Sequence, residues 1–310
     1  MKAVQISSYG GNDVIEIVDN VAKPSVGDGQ ILVEVYAASI NPFDLAVRAG
    51  YTKDFFPLKF PATLGGDFSG VVAEISDSNF KVGDEVYGQS LLLNGGSGAF
   101  AEVLAAKLGN FAAKPKNIDF LEAGSLPLVG CSAIQALEDH IKLKSGQKIL
   151  IHGGAGGIGS IAIQLAKAIG AYVATTVSGD DVDFVRGLGA DEVIDYQAED
   201  FSKKLSGFDA VFSTAGGEVV KKSFTVLKKG GALVSMLGQP NEDLAEKYGV
   251  IAIGQNTNTN SDRLSRLTKY VESGKIKPQV DKVFAIDEAK EAFEYLEKGF
   301  PRGKVVLKIK

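Results

Sequence analysis

Cysteine and histidine are nearly missing from this chain of 310 residues: Cys131 stands alone, and His140 and His152 are the only imidazoles. A single cysteine excludes an intrachain disulfide and any paired-cysteine metal motif. A catalytic zinc normally takes three protein ligands and a structural zinc takes four, mostly cysteines. No metal site is therefore expected. Free cysteine usually behaves as a small buried apolar residue, so Cys131 reads as packing before it reads as a nucleophile. A basic surplus is lacking too. The formal net charge of −5 argues against a general nucleic-acid binder. No stretch approaches the ~18 apolar residues of a membrane span. The N-terminus runs from Met1-Lys2 into AVQI without the apolar segment of a signal peptide. A cytoplasmic protein that binds neither nucleic acid nor membrane is the expectation.

What is present fits a soluble globular chain with a sizeable core: 45% of residues are hydrophobic and 23% charged. The length predicts two domains. Residues 1 to about 120 read as mostly β, with alternation in QILVEVYAASI and GVVAEI and turns such as KVGDEV. From about Asp119 the pattern becomes helical, interrupted by Pro127 and Gly130, and His140 is placed to close a helix whose C-terminal dipole favours a cation. Strands and helices then alternate: KILIH, a helix over Ile158–Ile169, YVATTV, a helix over Asp181–Leu188, EVID, AVFST, a helix over Glu218–Leu227, ALVSM and GVIAIG. Strands joined by helical crossovers imply a parallel sheet covered on both faces. A helix over Asp262–Ser273, the strand KVFAI, a helix over Asp287–Lys298 and the strand GKVVLKI close the chain.

The stretch ILIHGGAGGIGSIAIQLAKAIGA carries the sharpest signal. Gly154, Gly156 and Gly159 have the GxGxxG spacing, directly after an apolar strand and at the start of a long helix. In that context Gly154 permits the tight turn, Gly156 lets backbone approach a pyrophosphate, and Gly159 lets helix pack close to strand. Free amides and the helix dipole there attract phosphate. The plainer alternative is a glycine turn with no ligand.

Which dinucleotide binds depends on the tip of the next strand. NAD sites usually carry an Asp or Glu there. Here the strand ends in Thr176, Val177 and Ser178, which tolerate a 2′-phosphate and favour NADP(H) over NAD(H). Asp180 and Asp181 follow closely and oppose that choice if they point inward. Arg186 lies near but within a predicted helix.

Over essentially its full length the chain resembles the zinc-free quinone oxidoreductases of the medium-chain dehydrogenase/reductase superfamily. The resemblance is carried by SINPFDLAVRAGY, LGGDFSGVV, FKVGDEVYG, GAFAEV, SLPLVGCSAIQAL, HGGAGGIGS, LGADEVIDY and the final GKVVLKI. Zinc-binding relatives have a Cys near the Asn41 position, a Gly-His-Glu where this chain reads Gly66-Asp67, and a four-cysteine lobe. All three are lacking here. The resemblance implies an α/β fold in which a Rossmann-type parallel-sheet domain (123–263) is inserted in a β-rich, GroES-like partial barrel (1–122 and 264–310). It also implies an active site in the cleft between the domains.

By the same resemblance, hydride passes from NADPH to a quinone or an α,β-unsaturated carbonyl, without zinc. Alternatives are an alkenal or enoyl-thioester reductase, or a dinucleotide-binding protein with little turnover. The implied catalytic residues are Asn41, Tyr51 and Asp44. Asn41 contacts cofactor and substrate, although an Asn-Pro pair is also a common loop stop. Tyr51 offers a hydroxyl at the cleft entrance. Asp44 reads as an acid anchoring the next helix more readily than as a proton carrier. The implied cofactor contacts are Asn41, Ser132, Gly154, Ala155, Gly156, Gly157, Ile158, Gly159, Ser178, Tyr196, Gly238 and Gln239. Ser132 could instead bond its own helix backbone. Related NADPH enzymes carry a Lys just beyond the Ser178 position, where this chain has Asp180 and Asp181. Relatives often form homodimers through the edge strand that corresponds to Gly249–Gly254.

Overall fold

The computed structural model describes every residue except 77, 78 and 300. In chain order the first elements are β1 (Ala3–Ile6), β2 (Ile15–Val18), β3 (Gln30–Ile40), α1 (Pro42–Arg48), β4 (Ala62–Thr63), β5 (Asp67–Ile75), β6 (Glu85–Gln89), β7 (Val103–Lys107), β8 (Phe111–Ala113) and α2 (Phe120–Gly124). They are followed by α3 (Pro127–Ile134), β9 (Lys148–His152), α4 (Gly157–Ile169), β10 (Tyr172–Val177), α5 (Val182–Gly187), β11 (Glu192–Asp195), α6 (Phe201–Lys204), β12 (Phe208–Ser213), α7 (Glu218–Ser223), β13 (Leu227–Ser235), α8 (Glu242–Tyr248) and β14 (Ile251–Gly254). The chain ends with α9 (Ser261–Glu272), β15 (Val280–Ala285), α10 (Ala289–Lys298) and β16 (Lys304–Lys308).

Two compact units form, one from Met1–Leu128, Thr259–Glu272 and Pro278–Lys310, the other from Val129–Asn258 and Ser273–Lys277. In the first unit a seven-stranded sheet has the order β15-β16-β3-β5-β6-β8, with β7 also on β3. One half of β3, Gln30–Glu34, pairs with β7, and the other half, Ala37–Ile40, pairs with β16. Register shifts against β5 at Leu32/Val33 and Val35/Ala37 bend the strand between those partners. The sheet therefore curls into a partly open barrel around Phe68, Phe100, Phe111 and Phe293. The ends of β3, β5, β6 and β16 converge on one side, where Asn41, Asp67, Gln89 and Lys304 meet.

The second unit is a six-stranded parallel sheet with the order β11-β10-β9-β12-β13-β14. Chain order reverses beside β9, so the carboxyl end of β9 is the switch point at which such sheets bind ligands. The α/β architecture of a parallel Rossmann sheet and a β-rich partial barrel is thus observed.

Several elements depart from the sequence reading. The helical run expected over Glu218–Leu227 stops at Ser223, tightens over Phe224–Val226, and gives Leu227 to β13. The helix expected from Asp181 begins at Val182, after a tight turn over Gly179–Asp181. Helices α6 and α8 have no counterpart in the sequence reading. Pro127 does not break a helix but opens α3, where its missing N–H costs nothing. The wide turn Gln135–His140 then ends that helical run, with Ile141 N bonded to Ala136 O. The expected boundaries at 122/123 and 263/264 also shift. Helix α2 belongs to the first unit because Phe120 stacks on Tyr36 and its carbonyl accepts from Ser69 Oγ. Helix α9 belongs there because Leu264 O accepts from Tyr87 Oη and Ser261 Oγ donates to Phe111 O.

Candidate active site

In the first unit, Asn41 ends β3 in an extended conformation, and Pro42 opens α1 with its φ already helical. Asp44 Oδ2 accepts from Asn41 N at 2.7 Å. That bond ties the carboxylate to the first turn of α1. The Asn41 side chain turns inward and is 3% exposed. Its Nδ2 donates to Asp67 Oδ2 at 3.0 Å, and its Oδ1 accepts from Lys304 Nζ. Lys304 also donates to Ile40 O at 2.7 Å.

Asp67, fully buried at the start of β5, is held by donors on both oxygens. Gln89 Nε2 at 2.8 Å and Leu128 N at 3.1 Å donate to Oδ1, while Asn41 Nδ2 and Ser39 Oγ at 3.3 Å donate to Oδ2. Burial pushes its carboxyl up, and the Lys304 ammonium and these donors pull against that. A proton on Asp67 would have to displace one of the donors. Asp44 is the easier place for it: burial, and then the neighbouring Asp67 charge, push Asp44 up to about 7 against the Asn41 amide and Lys304. Burial pulls Lys304 down, and both carboxylates oppose it. The cluster is an ammonium and two carboxyls locked around one carboxamide.

Tyr51 is elsewhere in character. It is 82% exposed, and none of its side-chain atoms joins the cluster in its own unit. Sequence reasoning passed over Lys304 and Gln89. Lys304 opens an apolar strand, where alternation gives no reason to expect a buried cation.

In the second unit the glycine loop leaves β9 and opens α4. A Cβ on Gly154 would lie 2.1 Å from Thr175 Oγ1, and one on Gly159 would lie 2.1 Å from Gly153 O. Those two glycines are required by the protein's own packing. Gly156 is different. The nearest atom to a Cβ there is Gly153 O at 3.6 Å, so packing does not demand glycine. A backbone left bare by glycine at a helix N-terminus is what a pyrophosphate needs. Ala155, Gly157 and Ile158 are half-buried around it, and α4 begins at Gly157, where the first amides have no helical carbonyl to bond.

Ser132 and Gln255 form a second feature of this unit. Ser132 Oγ lies 2.7 Å from Thr257 Oγ1, and Ser132 O accepts from Gln255 Nε2 at 3.0 Å. Gln255 is 3% exposed, and its Oε1 has no hydrogen-bond partner among the described residues. It lies just past the carboxyl end of β14. Sequence reading missed it, because a lone Gln after a strand carries no signal. Together, the glycine loop at the start of α4 and the switch point beside β9 fit a dinucleotide.

Other expected cofactor contacts sit as follows. Ser178 Oγ donates to Asp181 Oδ2 at 2.8 Å. Tyr196 is exposed beyond β11. Gly238 is exposed, and Gln239 is engaged with β14: its Nε2 donates to Ala252 O at 3.2 Å and its Oε1 accepts from Gly254 N at 2.8 Å. Gln255 N bonds Ser235 O of β13. By alternation, Ala252 and Gly254 therefore turn their backbone groups away from β13. Gln239 lies along the open edge of the sheet.

His152 and Cys131 are structural. The His152 ring lies between Thr176 Oγ1 at 2.9 Å and Ser223 Oγ at 3.0 Å, and burial pulls its pKa down to about 3. Cys131 is buried within α3. Among the described residues, no group of three or more His, Cys, Asp or Glu could hold a metal ion.

Two family descriptions match the chain: an alcohol dehydrogenase GroES-like domain over residues 27–116 and a zinc-binding dehydrogenase over residues 188–307. The chain is 38% identical over 319 residues to the 2-methylene-furan-3-one reductase of Solanum lycopersicum, covering 99% of this chain and 79% of that protein. It belongs to the quinone oxidoreductases of the medium-chain dehydrogenase/reductase superfamily. Another member, the chloroplastic NADPH-dependent alkenal/one oxidoreductase of Arabidopsis thaliana, is 37% identical over 99% of this chain and 79% of its own length. The solved quinone oxidoreductase of Coxiella burnetii superposes with a TM-score of 0.91 at 35% identity, covering 100% and 99% of the two chains. Despite the zinc in that family description, the residues around Asn41 do not fit the metal. Both Asp67 oxygens are taken, and the Lys304 ammonium would repel a second cation.

Proposed function

We propose that this quinone oxidoreductase relative reduces electron-poor alkenes conjugated to a carbonyl, or quinones, at the expense of NADPH and without zinc. The single observation that supports this most is the glycine loop at the start of α4, where a Cβ on Gly156 would make only an ordinary contact at 3.6 Å, so that the protein's own packing does not require the glycine there. The names of the plant relatives point the acceptor toward enones, and that of the Coxiella burnetii protein toward quinones. The two share an electron-poor double bond and a carbonyl oxygen that gains charge.

When bound, NADPH supplies the hydride. The chain's residues bind and orient. The loop Gly154–Gly159 would hold the pyrophosphate on backbone amides at the start of α4. Asn41 keeps one Nδ2 hydrogen beyond its bond to Asp67, and that hydrogen serves the acceptor oxygen as negative charge develops there. For an enone the balance would be one hydride to the β-carbon and one proton from solvent to the α-carbon, giving the saturated carbonyl compound; for a quinone, one hydride and one proton would give the hydroquinone.

Oxidation of NADPH, followed by its absorbance with and without a small enone or 1,4-benzoquinone, tests this reading. The protein should first be dialysed against a chelator. Acceptor-dependent oxidation that survives the dialysis is expected. Failure with every acceptor would leave a dinucleotide-binding protein, and loss of activity restored by zinc would overturn the zinc-free part.

A further inference from the structure

We propose that Lys304 is a positioning residue acting through Asn41: with Asp67 it fixes the Asn41 carboxamide in one of its two flip states and leaves one Nδ2 hydrogen for a bound ligand. The inference rests on the role given to Asn41 above. A carboxamide can turn end for end with almost no change of shape, which exchanges its donor and acceptor ends. Here its neighbours remove that freedom. An ammonium only donates, so the atom meeting Lys304 must be Oδ1. An ionised carboxylate only accepts, so the atom meeting Asp67 must be Nδ2.

Lys304 is itself held in place. Its neighbour Val305 pairs with Ile40 across the β16–β3 ladder, which sets Lys304 beside Asn41 just past the ladder's end. The second bond, to Ile40 O, ties the ammonium to the peptide preceding Asn41. At 5% exposure the side chain has no route to water that would explain a lysine. An apolar residue of similar length would close the strand but would leave the buried Asp67 carboxylate without its counter-ion, so charge compensation is one reason for this cation. The carboxamide supplies a second: a cation on Oδ1 draws density from the amide and makes its remaining N–H a stronger donor. That suits an oxygen that gains negative charge during hydride transfer.

The test compares Lys304→Met, Asn41→Ala and the double variant. A misplacement of about 1 Å in a reacting group can cost about a hundredfold. Lys304→Met should lower kcat/KM for an enone or 1,4-benzoquinone by about ten- to a hundredfold, in kcat more than in KM, with NADPH binding by fluorescence unchanged. In the Asn41→Ala background the same substitution should cost nothing further. An equal fold loss in both backgrounds would overturn the proposal, since a merely structural lysine acts independently of Asn41. If Lys304→Met does not fold, Lys304→Met combined with Asp67→Asn removes both charges and takes its place in the same cycle. A readout without turnover is the ¹⁵N side-chain signal of Asn41, assigned by its disappearance in Asn41→Ala. It should shift in the Lys304 variant, and an unmoved signal would overturn the positioning role. A shifted signal in a protein that reduces no acceptor would defeat only the functional reading.

Discussion

Asp181 accepts the Ser178 hydroxyl at 2.8 Å, which brings a carboxylate to the tip of β10 although it stands three residues further along the chain. Asp195, at the end of β11, lies beside Gly179, its Oδ2 2.8 Å from where a Cβ there would sit. The nearest arginine, Arg186, faces Asp183 at 3.6 Å. The tip is therefore more acidic than the run Thr-Val-Ser suggests.

That acidity limits the preference for NADPH. A like charge near a phosphate costs on the order of 1 kcal/mol when screened by solvent. We expect NADPH to be favoured by no more than about tenfold, or about 1.4 kcal/mol. Asp180→Lys should tighten NADPH and leave NADH unchanged. Steady-state constants with both cofactors on both proteins check this. Better use of NADH by the wild type, or an unchanged ratio in the variant, would place the 2′-phosphate elsewhere.

The glycine loop makes a sharper contrast. Gly156→Val should abolish NADPH binding in a protein that melts near the wild-type temperature, because a Cβ at Gly156 meets no protein atom closer than 3.6 Å. Gly159→Ala should instead lower the melting temperature, its Cβ pressing on Gly153 O. Calorimetry and fluorescence titration of the two variants separate the effects. Normal NADPH affinity in Gly156→Val would reduce the loop to a turn.

His152 gives a pH dependence with a definite sign. Its folded-state pKa is pulled from 6.5 to about 3, so the folded protein keeps it neutral while the unfolded chain protonates. Its contribution to stability is present above pH 6.5 and is lost as pH falls toward 3. Replacing it with glutamine should weaken the protein at neutral pH and flatten the acid limb. Urea titrations between pH 4 and pH 8 measure both slopes, and parallel curves would show that His152 is not buried neutral.

Gln239 bears on assembly. Its carboxamide covers Ala252 O and Gly254 N on the open edge of β14, the strand through which a homodimer is expected. A strand from a second copy would have to displace it from Gly254, whose single N–H is already donated. Gln239→Ala should therefore shift sedimentation toward dimer. An unaltered profile would mean that any dimer uses another surface.

The sequence made the nucleotide half readable because strand, glycine loop and amphipathic helix fall in one local run, Lys148 to Ile169. In the barrel half, alternation in QILVEVYAASI marked β3 as a strand, but its closure into a barrel was readable only by resemblance, since β3 proves buried along most of its length. The site residues divide the same way. Asn41 and Asp44 stand in one short motif, whereas Lys304 reaches them across 263 residues of chain. The orphaned Gln255 oxygen and the edge-bound Gln239 depend on side-chain direction, which spacing does not reveal. Tyr51, expected at a cleft entrance, is exposed and bonds to none of the cluster's groups.

The central claim is transfer of hydride from the nicotinamide to carbon of the acceptor. Reduction of a small enone with NADPH deuterated at C4, on each face in turn, followed by mass spectrometry and NMR of the product, tests it most directly. We predict one deuterium at the β-carbon from one face only, and none from the other. A saturated product without deuterium from either face, or no product at all with NADPH and NADH, would contradict it.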